Sequence, residues 1–235
     1  MEEQASISQV GRFKGPLVDQ SRQAKQIQLR FAPLVLARDD FTNVGLIGGV
    51  SIRHPDATMV HATVAVLDVT TMKLVDSATA RARTSFTYVS GLRAFQAGPT
   101  IISAFEKLST VPHVVLWDGH GIAHPRHCGL ASHLGILLNI PSVGIAEELV
   151  YGTCNIADLG KQRGSQILVL DPKDGTEIGA AVRTRSDVRP VYVSIGHRVS
   201  LATATRIALQ CTPRYRIPEP LRQARTLCKV TSLGN

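Results

Sequence analysis

The stretch HVVLWDGHG at residues 113–121 joins a run of apolar residues to an aspartate that is followed by Gly-His-Gly. The apolar run predicts a short strand that is buried on both faces. Asp118 would then end this strand, and Gly119 and Gly121 would let main chain or a ligand approach closely. Because α/β proteins place their functional sites at the carboxyl ends of such strands, the stretch predicts both a fold class and a candidate site.

Helix and strand patterns alternate on both sides of this stretch. Apolar residues recur at helical spacing in residues 95–108 and 128–138, and residues 142–146 form a second short apolar run. This alternation predicts an α/β layer with parallel central strands. Further strands are expected at residues 166–170, 178–183 and 191–195, and further helices at residues 201–210 and 219–227.

The residues before this layer predict strands of a different kind and one helix. Residues 44–51, 60–69 and 73–84 are rich in β-branched side chains, and they predict a three-stranded antiparallel meander. The chain would therefore form a mixed sheet flanked by helices. Residues 19–36 predict an amphipathic helix with a basic outer face. We expect residues 1–18 to be a flexible tail and residues 19–228 to form a single domain.

The composition limits the class of protein. With 44% hydrophobic residues among 235, the chain is long enough for one sizeable core. No run approaches the roughly 18 to 20 apolar residues of a membrane span, so we expect a soluble cytoplasmic protein without membrane contact. The net charge of +8 favours a nucleic-acid partner, because clustered Lys and Arg displace counterions from phosphates.

Histidines follow two of the predicted strands. His120 and His124 come just after Asp118, and Gly196-His197-Arg198 ends the strand around residues 191–195. One interpretation is a metal or phosphate site built from Asp118, His120 and His197. The other is that these histidines are solvated loop residues without chemistry.

Two aromatic segments are further candidates for ligand contact. Tyr88 lies in Tyr-Val-Ser-Gly91, where its ring would either stack on a base or cover the edge of the core. Arg214-Tyr215-Arg216 places two arginines around an aromatic ring, a composition that suits phosphate.

Together these segments resemble the endonuclease V family over residues 23–225. The motifs are LIGGV (46–50), YVSG (88–91), WDGHGIAHPR (117–126), SIGHR (194–198) and RIPEPLRQA (216–224). The resemblance implies a ribonuclease H-like fold and divalent-metal-dependent cleavage near deoxyinosine in DNA or inosine in RNA. It also implies that the first strand and the strand ending in Asp118 are neighbours that share an Mg²⁺ or Mn²⁺ ion. We expect substrate contacts from residues of these motifs and the adjoining basic segment, namely Tyr88, Gly91, Gly119, Gly121, His124, Arg198, Arg214 and Arg216.

The metal-binding positions of the family are altered in this chain. Asp118 is retained as a metal ligand, but Ser51 stands where the family has the aspartate of Gly-Val-Asp. Gln96 and Ala97 replace the arginine and glutamate of Phe-Arg-Glu, and Glu147 replaces a lysine. A serine and an alanine bring no negative charge to a cation.

These departures predict an endonuclease V-like protein with a degenerate metal centre. It would lack efficient nuclease activity but keep a pocket for nucleic acid or a nucleotide, because loss of a metal ligand removes transition-state stabilisation. One alternative is a repurposed enzyme that acts on a small molecule with Asp118, His120 and His197. Another is an active Mg²⁺- or Mn²⁺-dependent endonuclease in which Glu147 serves as a relocated ligand.

Overall fold

The computed structural model describes residues 17–233, so residues 1–16 of the expected tail lie outside the described residues. Residues 17 and 18 open the first helix, α1, which spans Leu17–Phe31 and begins earlier than expected. A short 3₁₀ helix, Ala32–Leu34, follows it. The predicted helix does not continue to residue 36, because Pro33 lacks a main-chain donor and disfavours helical geometry before it.

Within the described residues, eight strands form one mixed sheet in the order β3-β2-β1-β4-β5-β8-β7-β6. This architecture confirms the predicted fold class, and each predicted strand is present with its ends shifted by two residues at most. The strands are β1 Leu46–Arg53, β2 Met59–Asp68, β3 Leu74–Arg83, β4 Val114–Asp118, β5 Ser142–Ala146, β6 Gln166–Leu170, β7 Glu177–Val182 and β8 Val191–His197.

Four more helices flank the sheet. They are α2 Arg93–Phe105, α3 Leu130–Leu138, α4 Leu201–Gln210 and α5 Glu219–Leu233. Ser200 caps α4 by accepting a hydrogen bond from the Thr203 amide, and α3 ends at Asn139 in the left-handed conformation. Among residues 17–233, none of the helices has both the length and the apolar character that a membrane crossing requires.

The strand directions decide which residues can meet. The pairs β1–β4 and β4–β5 are parallel, as predicted for the central strands, and β1–β2 and β2–β3 are antiparallel, as predicted for the meander. β8 runs antiparallel to β5, and β7 and β6 continue in alternating directions. The carboxyl end of β8 therefore lies at the edge of the sheet opposite to that of β4.

The sheet is covered on both faces, which explains the uninterrupted apolar sequence of β4. Val115 and Trp117 pack with residues of α2 and α3 in one core. Val114 and Leu116 pack with residues of α4 and α5 in the other. Asp118 follows Leu116 at an interval of two, so its side chain emerges on the face that α5 covers.

Candidate functional site

Two adjacent parallel strands bring Ser51 and Asp118 to the same edge of the sheet. Val50 of β1 pairs with Trp117 of β4, so Ser51 and Asp118 are the next residues along the two strands. Ser51 follows Gly49 at an interval of two and therefore lies on the face covered by α5, as Asp118 does. Ser51 is buried, and Asp118 is half-buried.

α5 approaches this face closely because β1 carries a glycine at the crossing. A Cβ atom on Gly49 would lie 2.2 Å from the carbonyl carbon of Pro220, in the first turn of α5. No larger residue fits there without moving the helix. The contact places the next turns of α5, which carry Arg225, above the ends of β1 and β4.

The Arg225 guanidinium binds two carboxylates at this point. Its Nη2 lies 3.0 Å from Oδ1 of Asp118, and its Nε lies 3.2 Å from Oδ2 of the same group. Its Nη1 donates to Oε1 of Glu147 at 2.9 Å. Burial lowers the pKa of Arg225, but the charges and hydrogen bonds of Asp118 and Glu147 outweigh burial and raise it. Arg225 is therefore a fixed cation between the two acids.

Glu147 follows β5 and is shared between two arginines. Arg216 donates from Nη1 to Oε2 of Glu147 at 2.7 Å and from Nη2 to its main-chain carbonyl at 3.2 Å. Burial raises the pKa of Glu147, yet the hydrogen bonds and charges of Arg225 and Arg216 hold it below its usual range. Glu147 is thus ionised at neutral pH, and each of its carboxylate oxygens accepts a hydrogen bond from an arginine.

The other two positions that were predicted to be altered lie on α2. Ala97 is fully buried and packs in the core with Val50 and Trp117. Gln96 is also buried, and its Oε1 has no hydrogen-bond partner. It lines a cavity of about 120 Å³ together with Arg83, Thr84 and Thr100. Neither residue brings a carboxylate to the Asp118 site.

The available donors do not fit the divalent ion that the resemblance implies. Mg²⁺ is held in proteins by oxygen ligands, including at least one or two free carboxylates. Here Ser51 offers a hydroxyl and Ala97 a methyl group, and the carboxylates of Asp118 and Glu147 are bonded to arginine. Across residues 17–233, no group of three or more His, Cys, Asp or Glu side chains is arranged to hold a metal ion.

The turn that carries Tyr88 is held by a single carbonyl group. The Gly91 oxygen accepts hydrogen bonds from Nε2 of Gln28 at 2.9 Å, Nε2 of His124 at 3.0 Å and Nη2 of Arg126 at 3.2 Å. Gly91 adopts a positive φ of 77°. The Tyr88 side chain is 64% exposed, so its ring does not cover the core and is open to a ligand.

His124 is a neutral donor in this network. Burial, reinforced by the charge of Arg126, lowers the pKa of His124 to about 4. Its Nδ1 accepts from the Arg126 amide at 3.2 Å, which leaves the proton on Nε2 for the Gly91 carbonyl. The residue therefore fixes the Tyr88 turn to the loop that follows Asp118.

The glycines after Asp118 serve the packing of that loop against the sheet. The Gly119 amide donates to the carbonyl of Ile145 at 3.0 Å. The Gly121 amide donates to Oγ of Ser194 at 2.8 Å, and a Cβ on Gly121 would lie 1.9 Å from the carbonyl oxygen of Ile195. Close approach of main chain, as expected, requires glycine at position 121.

The structure separates the three residues expected to share a metal or phosphate site. His120 follows Asp118 by two residues, and burial lowers its pKa to about 4. His197 ends β8 and pairs with Ser142, the first residue of β5, so it lies at the opposite edge of the sheet. There its Nδ1 accepts from the Leu36 amide at 3.3 Å. The expected grouping with His197 does not form, because β8 runs antiparallel to β5 and therefore also to β4. The apolar pattern of a strand does not indicate its direction, so the sequence could not show this.

Arg198 follows His197 and lies at the same edge of the sheet, away from Asp118. Its Nε lies 2.9 Å from Oδ2 of Asp40, and its Nη1 donates to the Asn139 carbonyl at 2.8 Å. These contacts tie the segment before β1 to the end of α3. The structure therefore places Arg198 at the edge of the sheet opposite to Asp118, with its guanidinium held by these two contacts; its predicted contact with substrate stays a prediction.

The segment before α5 forms a pocket next to Arg225. A cavity of about 360 Å³ is lined by Tyr215, Arg216, Ile217, Arg222, Arg225 and Thr226. The Arg222 guanidinium stacks over the Tyr215 ring at 3.5 Å and also pairs with Glu219. Arg214 is exposed nearby. The segment that was predicted to bind phosphate thus lies next to the Asp118 site. Glu147 and Glu219 neutralise the charges of Arg216 and Arg222.

Three residues of the site were not predicted from the sequence. Arg225 lies within the helix predicted at residues 219–227, and Gln28 lies within the amphipathic helix predicted at residues 19–36. Arg93, whose Nη1 donates to the Asp118 carbonyl at 2.9 Å, precedes the predicted start of α2. The sequence pattern that could have identified Gln28 is its place as an uncharged polar residue on the apolar side of α1. In the structure Gln28 is 1% exposed.

The family model described as "Endonuclease V" matches residues 30–226. Endonuclease V of Azotobacter vinelandii is 40% identical over 202 residues, which cover 86% of this chain and 90% of that protein. The crystal structure of endonuclease V from Streptomyces avermitilis superposes with a TM-score of 0.84 at 38% identity, covering 90% of this chain and 92% of that one.

A third relative was solved with nucleic acid. Endonuclease V of Ciona intestinalis, in complex with a 24mer DNA containing an inosine followed by a ribo-adenosine, superposes with a TM-score of 0.80 at 26% identity. The match covers 92% of this chain and 98% of that one. The residues that the family model matches include the motifs around Asp118 and Tyr88. The chain belongs to the endonuclease V family.

Proposed function

We propose that this protein binds nucleic acid at the endonuclease V site without cleaving it efficiently, because Arg225 takes the place of the divalent metal ion. The observation that carries the proposal is the ion pairing of Arg225 with both Asp118 and Glu147. A guanidinium remains protonated at any physiological pH. It therefore supplies a permanent positive charge between the two acids.

An arginine can replace only part of what a metal ion does. Its charge and N–H groups stabilise a phosphate, and it needs no loading. It does not lower the pKa of a bound water molecule to near 7, which is how a metal ion generates a nucleophile. The site would thus retain affinity for the phosphodiester while losing the group that activates water.

Features outside the metal position support retained binding. Tyr88 presents an exposed ring on a turn that three side chains hold in place. Stacking on such a ring stabilises a bound base by roughly 1–3 kcal/mol without regard to its identity. The Ciona intestinalis relative binds DNA containing an inosine. We extend that ligand class, a strand containing inosine or deoxyinosine, to this chain.

The test combines binding and cleavage on labelled single strands that contain one inosine or one deoxyinosine. Each strand is incubated with the natural protein in EDTA, Mg²⁺ or Mn²⁺. Two rebuilt variants are compared, Ser51→Asp with Ala97→Glu, and the same pair with Arg225→Ala. Circular dichroism establishes that each variant is folded. Asp118→Asn serves as the control for cleavage at this site.

We expect the natural protein to bind equally in EDTA and Mg²⁺ and to leave the strand intact. We expect cleavage only after Arg225 is removed in the rebuilt background. Nicking by the natural protein that requires Mg²⁺ or Mn²⁺ and is lost in Asp118→Asn would overturn the proposal. That result would instead support an endonuclease in which Glu147 has become a ligand.

A further inference from the structure

Three neighbouring strands bring cationic side chains together beyond Ser51. Arg53 of β1 pairs with His61 of β2, and His61 pairs with Arg81 of β3. Residues directly opposite each other on antiparallel strands point to the same face. Arg83, two residues after Arg81, also lies on this face. It is the face of Ser51 and Asp118, so these cations continue the candidate site along the edge of the sheet.

The charges at these positions act on one another. The strand pairing sets Arg53 and Arg81 on either side of His61, and burial, the charge of Arg81 and the charge of Arg53 lower the pKa of His61. Arg53, Arg81 and Arg83 are exposed. Within the described part of the chain, Arg53 and Arg83 form no ion pair. Asp56 is the acid whose charge reaches both His61 and Arg83.

α5 connects these arginines to the Asp118 site. The Cys228 thiol donates to the His61 carbonyl at 3.8 Å, so this turn of α5 lies directly beside them. Lys229 is exposed in the same turn and forms no ion pair among the described residues. It follows Arg225 at an interval of four and shares its side of the helix. Positive charge therefore runs from Arg225 past Lys229 to the three arginines.

We propose that Arg53, Arg81, Arg83 and Lys229, here called the basic row, bind the phosphate backbone of the strand held at the Asp118 site. The inference rests on the proposed function and extends it to one side of the bound nucleotide. Strands about 4.8 Å apart separate the Arg53 and Arg81 main chains by roughly 10 Å. Long side chains from these points reach separate phosphates of one strand.

Arg53, Arg83 and Lys229 differ in charge balance from the arginines around Tyr215, because they form no ion pair with a carboxylate of the described residues. Arg216, Arg222 and Arg225 are each paired with a carboxylate of the chain itself, so a phosphate that contacts them displaces few counterions. Cations that meet phosphate without such a partner release counterions, so their contribution depends on salt. For a single strand, each phosphate contact adds about 0.7 to the slope of log affinity against log salt concentration. The basic row is therefore measurable separately from the site itself.

The test is a salt titration with a labelled single strand containing one central deoxyinosine, in EDTA. Arg53→Ser and Lys229→Ser are each expected to lower the slope by about 0.7, and the double variant by about 1.4. Arg53→Lys with Lys229→Arg should keep the natural slope. Lys73→Ser removes an exposed charge from the other end of the β2–β3 hairpin and should leave the slope unchanged.

Two shortened strands give the direction of the bound backbone. A strand with the deoxyinosine at one end extends across the basic row. A strand with the deoxyinosine at the opposite end extends away from the basic row. The double variant should weaken binding of only one of them. Binding by the natural protein with an unchanged slope in the double variant would overturn the basic row and leave the proposed function standing. If the natural protein binds no strand, both proposals fail.

Discussion

Arg225 and Asp118 form a two-point ion pair at the carboxyl end of β4, with Nη2 3.0 Å from Oδ1 and Nε 3.2 Å from Oδ2. Both carboxylate oxygens are directed at the same guanidinium, which is the geometry in which arginine binds a carboxylate most strongly. A third hydrogen bond, to Glu147, prevents the side chain from turning away. Arg225 therefore occupies both oxygens of the Asp118 carboxylate, and the predictions for ligand and metal binding start from this residue.

Arg225→Ala should convert the site into a weak metal site. Removing the guanidinium leaves Asp118 and Glu147 with free oxygens, and two carboxylates suffice for a loosely held hydrated ion. We expect a Mn²⁺-dependent rise in melting temperature that the natural protein does not show. In metal-free buffer the variant should lose about 1 kcal/mol or less of stability, since the pair is partly solvated. Arg225→Lys keeps the charge and should show no Mn²⁺ effect.

Tyr88→Ala should weaken nucleic-acid binding without affecting folding. The ring is 64% exposed, so its removal leaves no cavity in the core. Loss of base stacking should reduce affinity by roughly 1–3 kcal/mol. Tyr88→Phe retains the ring and should bind as the natural protein does. Equal affinity of the alanine variant in fluorescence anisotropy would exclude stacking by Tyr88.

Gly91→Ala tests whether the Tyr88 turn must be held rigidly. A Cβ there would meet Nη2 of Arg126 at 2.9 Å and Nε2 of His124 at 3.0 Å. Gly175 has nearly the same φ, 76° against 77°, but open space around it. Both substitutions strain the main chain by roughly 1 kcal/mol, which urea unfolding will measure. Only Gly91→Ala should also weaken nucleic-acid binding, and equal binding by the two variants would contradict this role.

Acid should destabilise the protein through His124. Its pKa is about 4 in the folded chain and 6.5 when unperturbed, so between these values the unfolded state binds a proton that the folded state does not. The stability contributed by neutral His124 is thus complete above pH 6.5 and is lost as pH falls towards 4. The loss is about 3 kcal/mol at most. His120 and His197 shift in the same direction.

The contribution of His124 is isolated by comparison with His124→Gln. Glutamine can still donate to the Gly91 carbonyl but does not titrate. Between pH 6.5 and 4, urea unfolding should show a smaller loss of stability for His124→Gln than for the natural chain. Parallel curves would mean that the pKa of His124 is the same in the folded and unfolded states, which would contradict its depression by burial.

The sequence was sufficient to predict local structure where hydrophobic patterning was strong. The strand at residues 142–146 and the helix at residues 201–210 have the predicted bounds, because turn residues flank short apolar segments on both sides. The relation of β1 to β4 followed from the family resemblance and is confirmed by their parallel register. Ser51 and Asp118 could be placed together on that basis.

The parts of the site that depend on strand direction and long-range pairing could not be predicted. His197 follows a strand just as His120 does, but β8 runs antiparallel to β5 and carries it to the opposite edge. Arg225 lies on a helix whose amphipathic pattern gives its face but not the acid it will meet. The Gln28 amide acts across 63 residues on the Gly91 carbonyl, a separation that no local pattern reports.

The contact of Gly49 with Pro220 bears on how such a centre can change during evolution. Since the main chains of β1 and α5 touch there, the backbone beneath Arg225 has little freedom to shift. Replacement of a metal ion by an arginine would then require changes in side chains only, while the main chain stays in place. A lineage could lose cleavage, or regain it, through a few point substitutions while the fold passes unchanged from one state to the other.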